Sequence, residues 1–183
     1  MRGWICLAGV STLLVAGCGA EAAEPVAVPR GAPVVVDVPA ASSGGACRLL
    51  DFAVVEEHTG ERFDVAAASA RDDTRTCVLR AKRALLPELT LAVTDTSIGV
   101  DDFTADVRPA GARKVSRLGQ VAYRRTGAAT KGQGPVAEVG WLATEDRLAV
   151  LRWTLPKGAG RDAAEEVAGK LVTLAGTVDT RAL

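Results

Sequence analysis

The sequence predicts an α+β fold: a largely antiparallel sheet with helices packed on one face and one disulfide. Three observations lead there. Short strand-like runs follow one another with only turn residues between them, which favours antiparallel neighbours over crossovers. A C-terminal stretch instead repeats its apolar residues with helical spacing. Two cysteines, Cys47 and Cys77, stand alone within the segment that carries these elements. With 183 residues, the chain is long enough for a single domain with its own core. Its 22 basic and 22 acidic side chains balance, so net charge gives no sign of a nucleic-acid partner.

The folded domain is expected over residues 46–183 as a single α+β unit. Leu49, Leu50 and the segment Asp51 to His58 predict a short helix, with Asp51 as N-cap and Gly60 as the residue just past its end. Arg62 to Ala68, Thr76 to Ala81 and Leu89 to Thr94 read as strands. Arg71-Asp72-Asp73-Thr74 turns between the first two. Val100 to Arg108 reads as a weak helix with Val100, Phe103 and Val107 on one face, stopped by Pro109. Gln120 to Arg125 is a further strand, and Gly127 to Pro135, with three glycines, is expected as a mobile loop.

Val136 to Ala143 and Leu148 to Leu155 form the clearest hairpin, turning near Glu145-Asp146-Arg147. Pairing Thr144 with Leu148 sets Trp141 opposite Leu151 and Val139 opposite Trp153. Both tryptophans then share one buried face, because a slip by a single residue would split them. In the final helix, Asp162 and Glu165 fit an N-cap and N3 pair, and Gly176 fits a terminator. Ala164, Val167, Ala168, Leu171 and Leu174 line one stripe, expected to pack on the hairpin's apolar face. Glu166 and Lys170 add an outer pair at i,i+4 spacing.

Near the N-terminus, Arg2 precedes an apolar run from Trp4 to Ala16 that is too short to span a bilayer. It ends in Leu14-Val15-Ala16-Gly17-Cys18, which resembles the lipobox of bacterial lipoproteins. The resemblance implies a lipoprotein signal peptide over residues 1–17, cleavage after Gly17, and a diacylglycerol on the Cys18 thiol. The domain would then sit on the extracytoplasmic side of the cell membrane as a lipid-anchored protein. An ordinary secreted chain with an incidental cysteine is the alternative. Residues 18–45 read as a lipid-anchored flexible tether, with Pro25, Pro29, Pro33, Pro39 and Ser42-Ser43-Gly44-Gly45. Within it, Val34-Val35-Val36-Asp37-Val38 can form an edge strand bracketed by Pro33 and Pro39.

With Cys6 in the signal segment and Cys18 at the lipid position, Cys47 and Cys77 remain as a pair. In an oxidising compartment such a pair is most simply a disulfide, worth about 3.6 kcal/mol in the chain-entropy model for a loop of about 30 residues. Free thiols in a redox or metal role are the alternative, and no C-x-x-C spacing supports them. Cys47-Arg48-Leu49-Leu50, the helix ending at Thr59-Gly60, Val78-Leu79-Arg80 after the second cysteine, Leu118-Gly119 and Ala122-Tyr123 together resemble small uncharacterised lipoproteins of actinobacteria. The likeness covers most of residues 46–175. The architecture is also similar to the PsbP-like fold of some mycobacterial envelope lipoproteins, which implies a non-catalytic envelope protein without supplying a ligand.

Chemistry-bearing motifs are sparse. His58 is the sole histidine and lacks the H-E-x-x-H spacing of zinc hydrolases. No G-x-S-x-G surrounds Ser42, Ser43, Ser69, Ser97 or Ser116. Gly127 to Gln133 departs from a phosphate loop, since Lys131 precedes the second glycine and no Ser or Thr follows it. Asp72-Asp73 and Asp101-Asp102 do not match a calcium loop and read as a turn and a helix start. No catalytic residue, metal ligand or cofactor is expected.

Charge, however, is segregated. Glu88, Asp95, Asp101, Asp102 and Asp106 occur without a basic residue between them, and Arg108, Arg113, Lys114, Arg117, Arg124, Arg125 and Lys131 follow without an acidic one. Either the two segments lie side by side and neutralise each other, or the basic one faces anionic headgroups or envelope phosphates. The leading expectation is a non-catalytic binding or interaction module whose partner is an envelope protein, a lipid or a cell-wall component. A carrier of an apolar ligand is the second reading, with room left by Ala164, Ala168 and Gly140. A cell-wall hydrolase is the third, and it would need carboxylates such as Asp95, Asp101 and Glu138 gathered in one cleft.

Overall fold

Chain packing begins ahead of the first helix. The computed structural model describes residues 38–144 and 146–183; Cys18 and Val34 to Asp37 lie outside them. Two 3-10 turns, Ala40–Ser43 and Gly45–Leu49, already join the core, with Ala40, Ala46 and Cys47 buried. Within residues 38–45, expected in the tether, Ala40 is buried against the core while most of its neighbours stay exposed. Cys47 is disulfide-bonded to Cys77. Helix α1 (Phe52–Thr59) starts as expected: the Asp51 carboxylate accepts the amides of Ala53 and Val54 at 2.8 and 3.3 Å. It ends at Gly60, whose φ of +77° closes the helix in the left-handed region.

Seven strands follow: β1 (Val65–Arg71), β2 (Thr74–Ala81), β3 (Ala84–Asp95), β4 (Arg113–Val115), β5 (Val121–Gly127), β6 (Val136–Ala143) and β7 (Arg147–Thr154). They form one sheet in the order β1-β2-β3-β7-β6-β5-β4, with every neighbouring pair antiparallel. Two meanders are thus zipped together along β3 and β7. The first hairpin turns at Asp72-Asp73, and Asp72 takes a φ of +51°, a conformation its short polar side chain tolerates.

The β6–β7 hairpin keeps the expected faces and shifts the expected partners by two residues. Trp141 lies opposite Ala149, Val139 opposite Leu151, and Ala137 opposite Trp153. The strands close on Ala143 and Arg147, a turn as long as pairing Thr144 with Leu148 would give but placed one residue earlier in the chain, with Asp146 at a φ of +56°. A shift of two preserves the side-chain period, so both tryptophans remain buried on one face, at 2% and 4% exposure.

That face carries the main core. Helix α3 (Arg161–Ala175) buries Ala164, Ala168, Leu171 and Leu174 over β5 and β6, and its alanines permit close approach. Phe63 meets Trp153 edge-on at 5.3 Å. The N-cap of α3 is Gly160 rather than Asp162, and it supplies no side-chain bond. Glu165 is instead drawn across to β4 and β5, bonding Arg113 and, at 2.9 Å, the hydroxyl of Thr126. Glu166 and Lys170 pair at 2.8 Å as expected.

The opposite face is partly covered by the crossover between β3 and β4. It consists of helix α2 (Val100–Asp102) and a π-type turn (Phe103–Val107). Phe103 is fully buried against Tyr123 and Leu142, whereas Val100, expected beside it, remains 41% exposed. Gly134 and Pro135, expected in a mobile loop, are buried, and the Gly134 amide donates to the Leu155 carbonyl at 3.0 Å.

Candidate functional site

Strand β4 forms one edge of the sheet, and the basic run is wrapped around it. Arg113 on β4 lies directly opposite Arg124 on β5, and Lys114 lies opposite Tyr123. Like charges in facing positions repel, so this edge needs a counter-ion. Glu165 of α3 supplies it by pairing with Arg113. Arg125 is taken by Glu138, whose carboxylate accepts from its Nε at 2.7 Å and its second terminal nitrogen at 3.1 Å. The remaining five, Arg108, Lys114, Arg117, Arg124 and Lys131, form no ion pair with a described residue. Strand alternation places Lys114 and Arg124 on opposite faces of the edge, with Arg117 and Lys131 in the loops on either side of β5. The run thus rims an edge rather than forming a single face.

The acidic segment does not neutralise it by direct pairing. Glu88 pairs with Arg80, and Asp95 with Arg75 and Arg147, all on β2 and β7. Asp102 accepts the Gly99 amide at 3.2 Å.

Glu138 is the one carboxylate of the described residues buried to 6% exposure, and its surroundings explain how it stays there. Beyond Arg125, it accepts the Tyr123 hydroxyl at 3.0 Å, and Arg152 approaches its other side at 3.8 Å. Register sets these groups in one row across three strands: Arg125, Glu138, Arg152. A buried carboxylate without such partners would be costly. Tyr123 reaches it by lying over Gly140, its direct cross-strand partner. A Cβ on Gly140 would stand 2.5 Å from a ring carbon of Tyr123. Burial, then the Glu138 charge and the bond to it, push the Tyr123 phenol well above its ordinary range. The bond to Glu138 likewise raises the Arg125 guanidinium.

Other residues singled out in the sequence are kept apart. Glu138 faces the crossover side of the sheet, Asp95 lies at the end of β3 on the α3 side, and Asp101 is exposed on α2. Ala164 and Ala168 face the main core, while Gly140 lies on the other face beneath Tyr123. His58 is half-buried in the last turn of α1, and the described residues hold no cluster of three or more His, Cys, Asp or Glu able to hold a metal. The Ser43 hydroxyl donates to the Ala66 carbonyl at 2.9 Å.

One further feature was not read from the sequence. A cleft of about 310 Å³ lies between the β4–β5 loop, the end of β6 and the chain following α3, and Arg117, Gly119, Trp141 and Asp179 line it. Its parts lie far apart in sequence and carry no shared motif. No helix among the described residues is long and apolar enough to cross a membrane. Compared with protein-family models, curated proteins and solved structures, the chain matches none.

Proposed function

We propose that this chain is a lipid-anchored extracytoplasmic envelope protein whose α+β domain is a non-catalytic binding module. Its first partner is the cell membrane, through lipidated Cys18. Its second is the anionic headgroup surface of that same membrane, met by the rim of β4 and β5. The observation that carries the second contact is the set of five basic residues along one sheet edge without a described counter-ion. The anchor follows from Leu14 to Cys18, and the Cys47–Cys77 disulfide agrees with an oxidising compartment. A basic residue near an anionic leaflet contributes about 1 kcal/mol, and salt weakens it. An anchor that already confines the domain makes so modest a term sufficient to orient it.

Vesicle co-sedimentation of the Cys18→Ser protein tests the edge contact without the anchor. Binding to vesicles containing phosphatidylglycerol at low salt, lost on adding salt and reduced by Lys114→Gln with Arg124→Gln, is the expected result. Equal binding to anionic and neutral vesicles removes the headgroup reading. Retention of anionic binding in the double variant moves the contact elsewhere on the domain.

A further inference from the structure

Trp141, which lines the cleft beside the C-terminal end of α3, carries an unused hydrogen-bond donor. Trp141 is buried to 2% exposure, and its indole Nε1 donates to no described residue. Every fully buried side-chain nitrogen or oxygen among the described residues has a partner, so this Nε1 belongs to the sliver of the ring that solvent reaches. Trp141 is among the residues that line the cleft. The ring edge beside Nε1 faces Gly119: a Cβ there would stand 3.1 Å from Cδ1, the carbon bonded to Nε1. The same Cβ would run into the Leu142 carbonyl, and Gly119 has a φ of +54°. Only glycine both fits this position and leaves the indole edge uncovered.

Arg117 stands at the lip, exposed and without an ion pair to any described residue. It takes a φ of +62°, an unfavourable conformation for a long side chain. Arg181 also lines the cleft, but its guanidinium grips both oxygens of Asp179, at 2.7 and 3.0 Å. Asp179 is therefore answered within the cleft, and among the described lining residues the charge of Arg117 is left over. An unpartnered N–H on a largely buried ring and a cation lining one pocket of this size call for a small group rich in acceptors and negatively charged.

We propose that this cleft is a binding site for an oxyanion, a carboxylate or a phosphate, held between the Trp141 indole N–H and the Arg117 guanidinium. The inference goes beyond the membrane reading; Arg117 belongs to both, but neither Lys114 nor Arg124, the residues varied in the vesicle test, lines the cleft, so the two readings fail separately.

Indole N–H resonances of the isotope-labelled Cys18→Ser protein test it, with Trp153 as internal control. The probes are inorganic phosphate, acetate and a short-chain phosphatidylglycerol below its micelle concentration, each titrated at constant ionic strength. The Trp141 indole proton is expected to shift downfield and saturate while the Trp153 indole stays in place. Arg117→Gly, which suits the positive φ and spares the fold, is expected to weaken the response about tenfold or more. A response to all three probes assigns the site to free oxyanions, and a response to the lipid alone assigns it to a headgroup. No shift with any probe, or an unchanged titration in Arg117→Gly, overturns the proposal. Vesicle binding by the β4–β5 rim would be unaffected by that failure.

Discussion

Tyr123 is the only tyrosine in the chain, so its ionisation can be followed without interference from another phenol. In the folded protein it is 3% exposed, donates to Glu138, and would place a phenolate beside that carboxylate. Both burial and the neighbouring charge hold the proton on. An unfolded chain releases it near pH 10. Below that value both states keep the proton, and stability is unaffected. Above it the unfolded chain loses a proton that the folded chain retains, so this residue lowers stability by about 1.4 kcal/mol per pH unit until the folded phenol itself ionises. Lysines titrate in the same range, and Tyr123→Phe separates their effect. The variant should start about 1 kcal/mol less stable at neutral pH, having lost one buried hydrogen bond. Its deficit should shrink by about 1.4 kcal/mol for each pH unit above 10. Phenolate absorbance together with urea unfolding at stepped pH measures both quantities. A folded protein whose phenolate absorbance rises with a midpoint near 10 would refute the Tyr123–Glu138 arrangement.

Three other perturbations address separate parts of the fold. Gly140→Ala drives a Cβ to 2.5 Å from the Tyr123 ring and should cost about 1–3 kcal/mol by urea unfolding, and much less when introduced into a Tyr123→Ala background. Glu165→Gln removes the counter-ion of Arg113, which faces Arg124; because Arg113 and Glu165 are partly exposed, the cost should stay below about 1 kcal/mol and shrink as salt is added. Replacing Cys47 and Cys77 together by alanine should cost about 3.6 kcal/mol, which for a domain of this size lowers Tm by about 10 °C in calorimetry.

Much of the fold was legible wherever a short-range period fixed the answer. Strand alternation alone placed Trp141 and Trp153 on one buried face, and helical spacing alone picked the stripe of α3. Asp51 and Gly60 marked the ends of α1 through local backbone chemistry. Legibility ended where a residue's partner is distant. Glu165 has the spacing of a capping residue, yet it bonds Arg113, 52 positions away, leaving Gly160 as an unassisted N-cap. The hairpin register depended on where the turn is centred: moving it one residue earlier shifted every partner by two, leaving the hydrophobic pattern intact while altering every pair. The basic run was visible as composition, but alternation along β4 and β5 divides it between two faces, and Glu138 and Glu165 each claim one member. The Trp141 cleft gathers segments spread from Arg117 to Arg181, so nothing local announced it.

The mass of the N-terminal peptide, taken from protein extracted from its own membranes, tests the account most directly. The account predicts a peptide that begins at Cys18 and carries the mass of a diacylglycerol. An unmodified peptide running continuously through Gly17 and Cys18 would contradict it.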